Sequence, residues 1–124
     1  MVAQDTGNPA RVVIVDDNLA LAENIAEILI LAGFPSEVFG SAEEALPAAL
    51  GEGVAIVVTD YRLPGMTGPE FVTRIRAQRK QLRAVVIRAY SDERTMEAAS
   101  EADPHFLPKP VDYAWLSNFV REIG

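Results

Sequence analysis

The sequence predicts an α/β domain built on a doubly wound five-stranded parallel sheet with five helices. Three observations point there: short, continuously apolar runs rich in β-branched residues, helix-length segments between them, and a length of 124 residues that suits one such domain. A chain of this size buries about two-thirds of the surface its unfolded form exposes, enough for a core. Hydrophobic residues make up 49% and charged residues 23% of the chain, the balance of a folded domain rather than of a disordered segment.

Residues Met1 to Ala10 mix Gln, Asp, Gly, Asn and Pro without apolar periodicity. They read as a flexible tail, which leaves residues 11–124 as the domain. Val12 to Val15, Val54 to Val58 and Ala84 to Ile87 are unbroken apolar runs, as strands covered on both faces of a parallel sheet tend to be. The weaker runs Ser36 to Phe39 and His105 to Leu107 supply the second and fifth strands. Helices are expected near Leu19 to Ala32, Ala42 to Leu50, Pro69 to Arg79, Glu93 to Glu101 and Tyr113 to Glu122, with Ser41 and Asp92 as N-caps. Pro47 predicts a kink or a late start in the second helix, since proline has no N–H to give the ladder. In the first helix Leu21, Ile25, Ile28, Leu29 and Ala32 recur at helical spacing and should face the sheet, leaving Ile30 and Leu31 outside the stripe. Right-handed crossovers then put any ligand at the carboxyl ends of the strands.

Charge and composition exclude several functions. A net charge of −7 argues against direct contact with nucleic acid, whose phosphates call for clustered Lys and Arg. Without cysteine there are no disulfides, zinc thiolates or thiol catalysis, and no apolar run approaches the roughly 18 residues of a membrane span. A cytoplasmic protein is expected. No Gly-rich loop suggests a nucleotide or flavin cradle.

The first strand ends in Asp16-Asp17 and the third in Asp60, so the topology gathers three carboxylates at one sheet edge. Such a cluster repels itself and raises its own pKa values unless a cation neutralises it. Mg²⁺ suits it, because that ion takes a few carboxylates, keeps waters and shares phosphate oxygens. The fifth strand leads into Lys109-Pro110, a bond that can be cis, and sets an ammonium at the same edge where it can meet a carboxylate or a phosphate. Asp60 needs no general base to attack phosphorus, since it is already ionised at neutral pH. Taken singly, each residue has a plainer explanation. Asp16-Asp17 suits a helix N-terminus, Asp60 a turn before Leu63-Pro64-Gly65, and Lys109 a solvated surface.

Val-Asp-Asp ending at Asp17, Val-Val-Thr-Asp-Tyr-Arg-Leu-Pro-Gly-Met-Thr-Gly around Asp60, and Leu-Pro-Lys-Pro around Lys109 together resemble the receiver domains of bacterial two-component response regulators, the CheY-like group. The resemblance runs from Arg11 to the C-terminus. It implies strand order 2-1-3-4-5, with Asp60 as phosphoacceptor and Asp17 and Asp60 as Mg²⁺ ligands. Asp16 would act directly or through water, and the backbone carbonyl of Arg62 would be a further ligand. It also implies that Lys109 contacts the phosphoryl group, that a histidine kinase or histidine phosphotransfer protein donates it, and that the only chemistry is self-catalysed transfer and hydrolysis. The donor would dock on the first helix, a downstream protein would read the state, and a homodimer could form through the fourth helix, fifth strand and fifth helix. With no output domain after Gly124, the resemblance implies a stand-alone receiver, with excision from a larger protein as the competing reading.

One position departs from the pattern. Where such receivers carry Thr or Ser at the end of the fourth strand, this chain reads Ile87-Arg88-Ala89-Tyr90-Ser91. Either Arg88 leaves its guanidinium in water, or it points into the acidic site to bind a phosphoryl group or pair with Asp60. Arg88 is also the main support for a second reading, a pseudo-receiver that binds proteins without being phosphorylated. Phe106 stands where a switching aromatic is common in such receivers, though ordinary core packing is the plainer role for it. Tyr90 and Arg62 flank the expected site and would screen it from water, and His105, the single histidine, reads as a structural residue at a strand start.

Overall fold

The computed structural model describes residues 10–89 and 105–123. Seven strands and four helices lie among them: β1 (Arg11–Val15), α1 (Leu19–Leu31), β2 (Ser36–Phe39), α2 (Ala42–Ala49), β3 (Val54–Asp60), β4 (Arg62–Leu63), β5 (Met66–Thr67), α3 (Gly68–Arg76), β6 (Arg83–Arg88), β7 (His105–Pro108) and α4 (Tyr113–Ile123). The main sheet runs β2-β1-β3-β6-β7, all parallel, and β4 and β5 form a separate antiparallel hairpin. With the hairpin set aside this is the expected 2-1-3-4-5 order. The helix expected at 93–101, its cap Asp92, and Tyr90 and Ser91 lie outside the described residues.

Alternation along each strand divides the core in two. Val12 and Ile14 of β1 join Ile25 and Leu29 of α1 and Leu116 and Val120 of α4. Val13 and Val15 face the opposite way, onto Ala42, Ala45 and Ala49 of α2 and Phe71 and Ile75 of α3. Successive side chains of a strand point to opposite faces, so both faces must be apolar, which is why these strands read as unbroken hydrophobic runs.

Three details differ from the sequence pattern. The face of α1 that packs on the sheet is Ala22, Ile25, Ala26 and Leu29, with Leu21 and Ile28 only half-buried at its flanks. Two small alanines let the helix lie close to the strands, a contribution that a search for large side chains passes over. Ile30 and Leu31 are exposed as expected, at 52% and 82%. The second helix begins on time at Ala42, with Ser41 accepting from the Glu44 N–H, and Pro47 is accommodated within it. The third helix starts at Gly68 and ends at Arg76, three residues before the expected end. Beyond it Arg76 Nε donates to the Leu82 carbonyl and Arg79 Nη1 to the carbonyls of Ala49 and Gly51, so both arginines fasten the turn into β6.

The hairpin and the start of α3 bring the chain back across the end of β3. Gly65 has φ 84°, and the Gly68 N–H donates to the Tyr61 carbonyl at 2.6 Å. The helix then opens on a capping box, in which Thr67 Oγ1 accepts from the Glu70 N–H and Glu70 Oε1 from the Thr67 N–H. A Cβ at Gly68 would collide with the backbone carbonyl oxygen of Asp60 and crowd Thr59 Cγ2. Gly68→Ala is therefore expected to lose about 1–3 kcal/mol of stability in urea unfolding, by the cost of overpacking; an unchanged midpoint would show that the return loop does not press on Asp60.

Candidate functional site

The parallel ladder carries the site residues to one edge. The Asp16 N–H donates to the Phe39 carbonyl at 3.0 Å, holding the residue after β1 in line with the sheet. Asp60, the last residue of β3, is in register with Ile87 of β6, and the Tyr61 N–H donates to the Ile87 carbonyl at 2.8 Å. Arg88 is in register with Pro108, and the Lys109 N–H donates to the Arg88 carbonyl at 3.0 Å. These bonds continue the sheet one residue past its strands and so set Asp60 and Lys109 on either side of β6. The Lys109–Pro110 peptide is cis.

Ligand atoms of Asp16, Asp17 and Asp60 lie within 4.8 Å of one another. Asp16 and Asp60 are buried and Asp17 is exposed. Asp16 Oδ1 accepts the Asn18 N–H at 2.9 Å, whereas its Oδ2 is buried without a hydrogen-bond partner among the described residues. Lys109 Nζ stands 3.4 Å from Asp60 Oδ1. Burial pushes the Asp16 carboxyl up from 3.8 to about 6; the negative charges of Asp60 and Asp17 push the same way, while the Asn18 N–H and Lys109 oppose them. Burial also raises Asp60 above the ordinary carboxylate range, chiefly against the pull of Lys109.

A hard divalent cation fits this set. The acceptors are all carboxylate oxygens, one of them buried with no donor among the described residues, and hard divalent cations take oxygen ligands of this kind. Lys109 supplies one positive charge against three negative ones.

Other expected residues fall around this core. Arg62, the first residue of β4, has its guanidinium 5.9 Å from the centre of the buried Tyr61 ring. Arg88 is half-buried, and Phe106 is half-buried in register with Val86. His105 begins β7 and meets Phe119 edge-on, with ring centroids 4.9 Å apart, far along the strand from the acidic cluster.

Three residues position the site through contacts that the sequence did not show, although Thr59 and Gly68 belong to the motif around Asp60. Asn18 caps α1, accepting the Leu21 N–H at 3.2 Å, and its own N–H orients Asp16. A polar residue just before a helix carries that signal. Buried Thr59 donates to the Asp60 carbonyl at 3.0 Å, and Gly68 gives that same carbonyl room; neither contact has a local sequence signature.

An open parallel α/β sheet with carboxylates and a lysine at its carboxyl edge defines a class of small domains suited to binding a cation and a phosphoryl group there. Residues 12–121 match the response regulator receiver domain, and the chain belongs to that family. It is 32% identical over 112 residues to the response regulator protein FleR of Pseudomonas aeruginosa, covering 90% of this chain and 24% of that protein. It is 39% identical over 102 residues to the response regulator receiver protein Anae109_2439 of Anaeromyxobacter sp., covering 82% and 43%. The matched region therefore covers less than half the length of either relative. Among solved structures, a CheY-like receiver domain from Methylobacillus flagellatus superposes with a TM-score of 0.81 at 29% identity, covering 94% of this chain and 99% of that one.

A carboxylate whose folded pKa exceeds its unfolded value is one whose charged form folding disfavours. Without a divalent cation, stability should therefore fall as pH rises from about 4 through about 6 and stay lower above it, by on the order of 1–3 kcal/mol for Asp16. Urea midpoints in chelator at pH 5 and pH 8 measure the drop. Asp16→Asn should shrink it, and an equal drop in that variant would place the titrating group elsewhere.

Proposed function

We propose that this chain is a phosphoacceptor receiver in which Asp60 takes a phosphoryl group from a histidine kinase or histidine phosphotransfer protein. The observation that carries the reading is the buried, unanswered Oδ2 of Asp16 beside Asp17 and Asp60, with Lys109 3.4 Å from the Asp60 carboxylate. Asp16, Asp17, Asp60 and the backbone carbonyl of Arg62 would hold Mg²⁺, which would neutralise the cluster and polarise the incoming phosphoryl oxygens. An Asp60 oxygen forms the new bond to phosphorus as the phosphorus–nitrogen bond to the donor's imidazole breaks, and that imidazole, protonated beforehand on its other ring nitrogen, leaves as the neutral ring. Lys109 stays beside the nucleophile and takes the charge on a transferred oxygen. Hydrolysis of the acyl phosphate would return Asp60, so the domain acts on itself and is not an enzyme toward a separate substrate.

Four large hydrophobic side chains are exposed among the described residues, and three of them, Leu19, Ile30 and Leu31, belong to α1. Apolar groups so grouped on one helix support its use as the docking surface for the phosphodonor. The stacked Trp115 and Phe119 rings of α4, 5.1 Å apart beside β7, support a protein contact at that edge, either a downstream partner or a second copy of the chain. Half-buried Phe106 would couple that edge to the site. A cytoplasmic location belongs to the same reading. The pseudo-receiver alternative is favoured by Arg88 alone, and the full Asp16, Asp17, Asp60 and Lys109 set weighs against it.

Incubated with Mg²⁺ and acetyl phosphate, the protein should gain the mass of one phosphoryl group, and Asp60→Asn should gain none. No gain, with a histidine kinase as donor as well, would make the pseudo-receiver the better account. Ile30→Glu should slow transfer from a cognate donor roughly tenfold or more while leaving the acetyl phosphate reaction intact; an undiminished rate would remove α1 from the docking surface.

A further inference from the structure

Two buried side-chain polar atoms lack a hydrogen-bond partner among the described residues, Asp16 Oδ2 and Arg88 Nε. Both belong to the carboxyl edge of the sheet, and they are opposite in kind. The first is an acceptor that a cation would satisfy. The second is a donor that only an acceptor can satisfy, and leaving a buried donor unmet is costly enough that such atoms are uncommon.

Arg88 ends β6, which lies between β3, ending at Asp60, and β7, ending just before Lys109. The Lys109–Asp60 ion pair therefore spans the end of the strand that Arg88 terminates. Neighbouring strands are about 4.8 Å apart, and an arginine stem is long enough to cross that spacing. Asp60 pairs with Lys109, and Arg88 has no carboxylate partner among the described residues, so the guanidinium is not spent on the resting site.

We propose that Arg88 is a ligand for the phosphoryl group on Asp60, idle until that group arrives. The proposal rests on the phosphoacceptor reading above. A phosphoryl group presents three terminal oxygens; the cation and Lys109 answer two, and the Arg88 fork meets the third with charge-assisted hydrogen bonds. Arg88 then recognises the modified state and has no part in holding the cation.

Beryllium fluoride, a tetrahedral phosphoryl analogue, separates these roles when titrated in saturating Mg²⁺, with Mg²⁺ affinity measured alone. Arg88→Ala should weaken beryllium fluoride binding by about 10-fold to 100-fold. Its Mg²⁺ affinity should be unchanged or tighter, because a positive charge near the ion has been removed. Arg88→Lys keeps the charge without the fork and should fall between the two. Unchanged beryllium fluoride affinity in Arg88→Ala overturns the proposal, as does a parallel loss of both affinities, which marks a structural role. If Arg88→Ala fails to fold, Arg88→Lys decides: full affinity overturns the proposal and a several-fold loss supports it. Wild-type protein that ignores beryllium fluoride would sink the phosphoacceptor reading itself.

Discussion

The constraint on which the rest depends is the crowding of three carboxylates at the end of a hydrophobic sheet, two of them buried. Neither burial nor proximity favours the charged form, and both push Asp16 to a pKa of about 6. A fold that keeps such a cluster must be held together elsewhere. Here the support comes from two apolar layers on either side of the parallel sheet, which keep β1 and β3 in register whatever the charges at their ends. Stability is supplied by the core, and the edge is left with an excess of negative charge that a cation can relieve.

The positioning of the site is mostly a matter of backbone. Ladder bonds running past the strands set Tyr61 and Lys109, the Asn18 amide orients Asp16, and the Asp60 carbonyl is held by Thr59 and cleared by Gly68. Asp60 is thus fixed from behind while its carboxylate faces the ion pair with Lys109. This is preorganisation of the kind that lets a site stabilise charge with little rearrangement. Two buried atoms are without a hydrogen-bond partner among the described residues, one on Asp16 and one on Arg88, and they are opposite in polarity: the first calls for a cation, the second for an acceptor.

Much of this was legible in the sequence because strand burial and strand-end chemistry are local signals. Unbroken apolar runs marked the strands, and the residues just after them, Asp16, Asp17, Asp60 and Lys109, were therefore placed on one edge before any contact was known. What could not be read depends on tertiary closeness. The small alanines of α1 that touch the sheet look unremarkable beside Leu21 and Ile28, and the β4–β5 hairpin is two residues a side, too short for periodicity. The end of α3 at Arg76 is settled by arginine bonds to carbonyls from Ala49 and Gly51 in another part of the chain and from Leu82 beyond the turn. The roles open to Arg88 also needed the structure, which shows Lys109 and not Arg88 paired with Asp60.

The central claim is that the cluster carries excess negative charge and holds a raised-pKa carboxyl that a divalent cation would ionise. Calorimetric titration with Mg²⁺ at pH 6, in two buffers of different ionisation enthalpy, tests it most directly, because metal binding to a half-protonated carboxyl must release protons. The account predicts binding with a fraction of a proton released at pH 6 and almost none at pH 8. Mg²⁺ binding with no proton release at pH 6, or no binding at either pH, would contradict it.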